Sequence, residues 1–70
     1  MDMPPKGVQL QICENNIQLC LNTICDLTFK ARAADRVKDE NTKKQYMSEI
    51  EKYEKMKDEF EKIKKEIESQ

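Results

Sequence analysis

The sequence predicts an all-α chain: long amphipathic helices that form an antiparallel helical hairpin or a continuous coiled coil, completed by oligomerisation. Three observations carry this. From Val8 to Gln70 there is no glycine or proline, so nothing in that stretch breaks a helix. Apolar residues recur in both halves at alternating steps of three and four, the spacing of a helical seam. Charged residues make up 39% of the chain and apolar ones 37%. So polar a chain of 70 residues forms one small domain that buries too little by itself to offset the entropy of ordering it.

Residues 1–7 read as a mobile tail. They hold both prolines and the one glycine, Met1-Asp2-Met3-Pro4-Pro5-Lys6-Gly7. They lack the apolar core of a secretory signal.

Residues 8–37 read as an apolar helix and the main interaction segment. Leu10, Cys13, Ile17, Cys20, Ile24, Leu27, Ala31 and Ala34 keep an unbroken heptad in which every seam position is apolar or small. A second reading competes over the first part of this segment. Val8, Leu10 and Ile12 alternate with polar residues, Glu14-Asn15-Asn16 supplies a turn, and Ile17, Leu19 and Leu21 alternate again, as two strands would. A lone two-stranded hairpin is marginal in water, and the longer periodicity favours the helix. Ile12, Leu19, Leu21 and Phe29 lie off the seam. A helix apolar on more than one side is expected to touch more than one neighbour.

Residues 43–70 read as a charged coiled-coil helix. Tyr46, Ile50, Tyr53, Met56, Phe60, Ile63 and Ile67 form its stripe. Glu51→Lys55, Asp58→Lys62 and Glu61→Lys65 place an acid four residues before a base, which supports an exposed helical face. Thr42 to Gln45 has the form of a capping box with Thr42 as N-cap. Extending the first lattice puts Lys38, Asn41, Gln45 and Ser48 on its seam, all polar, so the two stripes are out of phase. Either the chain turns within residues 38–42, or one helix continues through a seam discontinuity. The absence of a glycine there speaks for continuity; the similar arm lengths speak for a hairpin. The pattern at Ile67-Glu68-Ser69-Gln70 is still helical in character, as expected of a segment of something longer.

Chemistry is expected to be absent. There is no histidine, no glycine-rich phosphate loop and no serine in a nucleophile context. Cys13, Cys20 and Cys25 are too few and too widely spaced for a structural zinc site. Cys13 and Cys20 fall on the seam and are expected to pack as small apolar side chains, whereas Cys25 lies off it. No enzyme activity, cofactor or metal is expected. Thirteen basic residues against fourteen acidic ones give a net charge of −1. That argues against nucleic acid, although Lys43, Lys44, Lys62, Lys64 and Lys65 supply a less favoured basic-helix reading. The uncharged run Asn15–Cys25 is far shorter than the roughly 20 residues a membrane span requires. The expected partners are other helical proteins, in a hetero-oligomer more than with copies of itself. Tyr46, Tyr53 and Phe60 fit a homodimer seam less well than branched aliphatics do. The expected role is a scaffold subunit inside the cell, cytoplasmic or nuclear, with a homo-oligomerisation module as the alternative.

Overall fold

The computed structural model describes residues 2–70. Met1, the first residue of the expected tail, lies outside the described residues. Two helices, α1 (Lys6–Arg36) and α2 (Glu40–Glu68), pack antiparallel as a helical hairpin. Among the described residues there is no strand, so the alternation at Val8–Leu21 belongs to a helix. The hairpin is an extended slab of 50 × 20 × 14 Å. A helix of 31 residues spans about 46 Å at 1.5 Å per residue, so the helices run its whole length.

Proline starts α1 two residues earlier than the heptad suggests. Pro5 cannot continue a helix backwards, but its carbonyl accepts the N–H groups of Val8 and Gln9, both at 3.0 Å. No side chain caps this end. Lys6 is a poor first-turn residue beside the positive helix terminus, and its ammonium turns elsewhere. It donates to the carbonyls of Glu68 at 3.1 Å and Gln70 at 2.9 Å, the open acceptors at the end of α2.

The turn occupies Val37, Lys38 and Asp39; it starts one residue before the expected 38–42 and ends three residues short of that range's end, because α2 already begins at Glu40. The Asp39 N–H donates to the Ala34 carbonyl at 2.9 Å and the Lys38 N–H to the Asp35 carbonyl at 3.0 Å. Those two bonds close α1 in the manner that usually requires a left-handed residue. Lys38 adopts that conformation, with φ 60°. Glycine is therefore not needed; a lysine bears the strain.

Asp39 then opens α2. Its carboxylate accepts the Thr42 N–H at 3.2 Å and the Thr42 hydroxyl at 2.6 Å. This corrects the expected cap. Thr42 stands three residues inside the helix as the group being capped, and Asp39 does the capping because a carboxylate satisfies two donors at once. The two hydrogen bonds hold the Asp39 carboxyl below its ordinary value of 3.8. Glu40 adds a further negative charge to this first turn.

The seam matches small residues with large ones. α1 buries Cys13, Cys20, Leu27, Ala31 and Ala34, while α2 buries only Ile67. Tyr46, Ile50, Tyr53 and Phe60 of α2 are half-buried, as are Leu10, Ile17 and Ile24 of α1. Cysteine and alanine let the backbones approach, and the rings of α2 fill the width that remains.

Candidate functional site

α2 meets α1 along Tyr46, Ile50, Tyr53, Lys57, Phe60, Lys64 and Ile67, the positions its burial pattern picks out. Met56 and Ile63, expected on this stripe, lie beside it and are 39% and 42% exposed. Lys57 and Lys64 take their places in the heptad. Their stems lie along the seam and their ammonium groups reach solvent, so each lysine acts as an apolar residue for most of its length.

The hairpin therefore has two unlike flanks. Along one run Glu14, Leu21, Thr28 and Asp35 of α1, with Met47, Glu54 and Glu61 of α2. Ion pairs lace it. Lys43 reaches Asp35 at 2.9 Å, Lys64 reaches Glu14, and Lys57 reaches Glu61 at 3.1 Å. A hydrogen-bonded carboxylate holds each of these three lysines above its ordinary 10.5. The two pairs that cross between the helices, Lys43–Asp35 and Lys64–Glu14, fix register more than they add stability, being partly exposed. Near the turn this flank carries a recess lined by Thr28, Arg32, Asp35, Lys43 and Met47.

The other flank carries Gln9, Asn16, Thr23 and Lys30 of α1, with Glu49, Met56 and Ile63 of α2. Lys30, paired with Asp26 at 3.0 Å, and Glu49 mark its turn end. Next to Asn16 and Thr23, on the outer edge of α1, stand Ile12 and Leu19, 48% and 61% exposed. On α2, Met56, Phe60 and Ile63 line an open apolar hollow of ≈ 250 Å³, edged by Lys55 and Glu59. The Asn16 amide donates to the Ile12 carbonyl of its own helix at 2.9 Å, so its nitrogen is already satisfied.

The residues expected to bind partners thus divide into groups. Leu10, Ile17, Ile24, Leu27, Tyr46, Ile50, Tyr53, Phe60 and Ile67 close the seam within the chain. Met56 and Ile63 line the hollow on α2, and Ile12 and Leu19 stand exposed on the outer edge of α1. Leu21 falls on the ion-paired flank, and Phe29 on the back of α1, where the Arg32 guanidinium sits 5.9 Å from its ring centre. Met47, 53% exposed, is an apolar surface residue outside the expected stripe.

The thiols follow the seam. Cys13 and Cys20 are buried, Cys25 is exposed, and all three are free. Among the described residues no group of three or more acidic or cysteine side chains is placed to hold a metal ion. No described helix is long and apolar enough to cross a membrane. The chain matches no family model, no curated protein and no solved structure.

Proposed function

We propose that the chain is a non-enzymatic structural subunit that enters a larger protein complex by helical-bundle contacts. The observation that carries this is the large apolar surface the hairpin leaves uncovered. A compact monomer of 8.3 kDa exposes about 4,600 Å² by the usual scaling with mass. This chain exposes 5566 Å² of polar and apolar surface together, more than a compact shape would because two helices make an elongated slab of 50 × 20 × 14 Å. The uncovered residues include Ile12, Leu19, Met56 and Ile63, the kind of side chain a third or fourth helix covers.

Other classes fit less well. Catalysis would need a histidine or a convergent acid–base pair, and the acidic residues here alternate with lysines. A nucleic-acid role would need a basic face, whereas the lysines of α2 stand among carboxylates. Three free thiols suit a reducing compartment, cytoplasmic or nuclear.

The reading makes folding and assembly inseparable. The thermal midpoint should rise with protein concentration or with added partner, because association is linked to folding. A cooperative monomer melt that ignores both would refute it.

A further inference from the structure

We infer that the turn end of the ion-paired flank is a docking surface for an acidic amphipathic helix of another protein. This adds to the assembly reading a contact of different chemistry, made by charge as well as by apolar area.

The charge of the hairpin is divided along its length. The pairs Glu14–Lys64 and Asp35–Lys43 set the register, which puts residue 30 level with residue 48. Residues 30–48 hold six cations against three acids, a net charge of +3, and the rest of the chain holds seven against eleven, a net charge of −4. Two of the three acids at the turn end are already engaged. Asp35 holds Lys43 at 2.9 Å, and Asp39 caps α2 through Thr42. Of the six cations, Lys30 pairs with Asp26 and Lys43 with Asp35. Among the described residues Arg32, Arg36, Lys38 and Lys44 form no ion pair, and all four are exposed.

Apolar surface lies between these cations. The recess of ≈ 290 Å³ between the helices offers Ala31, Met47 and Ile50, with Arg32 and Lys43 at its sides. Arg32 also borders a second hollow, beside Phe29, Ala33 and Arg36. Met47 borders a third, beside Lys44 and Glu51. Sharing Arg32 and Met47, the three hollows run as one strip across both helices. The Arg32 guanidinium sits 5.9 Å from the ring centre of the exposed Phe29, so a carboxylate bound by Arg32 brings its own chain against an aromatic face.

That mixture selects the occupant. It must bring apolar side chains for Phe29, Met47 and Ile50 and carboxylates for Arg32, Arg36 and Lys44. Nucleic acid brings phosphates without the apolar groups, and its length carries it past the acidic remainder of the chain. An extended peptide gains its affinity at a sheet edge, and the described residues contain no strand. A second copy offers no suitable helix, because the acids of α2 are interleaved with lysines. An amphipathic helix with aspartate or glutamate beside its apolar stripe meets both needs. The cations act over about 8 Å at physiological salt, so they choose the partner and speed its encounter more than they hold it.

The test titrates the full chain with a synthetic helical peptide that carries leucine along one face and glutamate beside it. Amide NMR shifts locate the contact, and fluorescence anisotropy at two salt concentrations measures it. Shifts should gather at Phe29, Arg32, Lys43 and Met47, and added salt should weaken binding. The same peptide with glutamine for glutamate should bind about tenfold more weakly, as should the parent peptide to Arg32→Glu or Met47→Asp. Circular dichroism should find both variants helical, since both side chains are exposed. Lys62→Glu, in the acidic remainder, should bind normally. Equal binding of the glutamine peptide, shifts centred on Ile12 and Met56, or tighter binding of duplex DNA than of the peptide would each overturn the inference. No binding of the acidic peptide, with a thermal midpoint that still rises with chain concentration, would overturn this surface and leave the assembly reading standing.

Discussion

Replacing Leu27 by alanine probes the core where it is best defined. Leu27 is the one leucine buried in the hairpin, 6% exposed. The change removes three carbons, worth about 2 kcal/mol of transfer free energy at roughly 0.8 kcal/mol per methylene. A cavity contribution adds to that, but a two-helix seam is open along its sides and its walls can close. The loss should therefore fall at the low end of the known range, about 2–3 kcal/mol. A chain of this size has roughly 3.5–10 kcal/mol to lose. At an unfolding entropy of about 2 cal/mol/K per residue the midpoint should drop by about 14–20 °C. The assay is a circular-dichroism melt at one fixed chain concentration, with Leu21→Ala as comparison. Leu21 is largely exposed, and its change should cost no more than about 0.5 kcal/mol. Equal shifts for the two variants, or a drop under about 3 °C for Leu27→Ala, would refute the seam described above.

Three further outcomes are expected. Asp39→Asn should keep the α2 cap but remove part of the acid dependence of stability. The carboxyl is held below its ordinary 3.8 when folded, so its contribution is full above that value and fades as pH falls through the folded pKa; acid titrations of variant and parent that superimpose would contradict this. Lys38→Gly should raise stability by about 0.5–1 kcal/mol, because a left-handed side-chain residue costs about 1–2 kcal/mol and glycine's greater freedom when unfolded returns part of the gain; a lower urea midpoint would count against the turn geometry. A thiol reagent should label Cys25 quickly and Cys13 and Cys20 only as fast as the helices separate; three equal rates would mean the seam is open.

The α1 seam is fully legible in the sequence because each of its positions is apolar or small, and the structure buries or half-buries all of them. α2 is legible only in part. Tyr46, Tyr53, Phe60 and Ile67 fix one heptad position, but the other holds Ile50 among Lys43, Lys57 and Lys64. By hydropathy Met56 and Ile63 outrank Lys57 and Lys64, and a side-chain scale does not show that a lysine stem can lie in a seam while its head stays wet. That slip of one residue hid the candidate surface, since it placed Met56 and Ile63 inside the hairpin. A turn in this region is one of the two alternatives the sequence offers, but the residues that build it are not legible. A left-handed lysine looks like any other lysine, and Asp39 reads as one more surface charge until its distance to Thr42 is known. The ion pairs are the least legible element. Spacing points to Glu51→Lys55, Asp58→Lys62 and Glu61→Lys65; within the helices the structure instead pairs Lys57 with Glu61 and Asp58, Lys62 with Glu59 and Lys30 with Asp26. Exposed pairs of this kind differ by fractions of a kcal/mol, too little for sequence spacing to choose among them.

The bond from Lys6 to the last carbonyls of α2 places residues 6 and 70 side by side, and this sets how the hairpin bears load. Tension applied at these two points acts across the helices. It peels them apart layer by layer, beginning at Leu10 and Ile67 and ending at Ala31 and Ala34 beside the turn. Tension taken up along one helix must instead slide the whole seam at once. The same fold is thus a soft fastener when pulled at its open end and a stiff strut when loaded along its length, and the direction of attachment alone decides which.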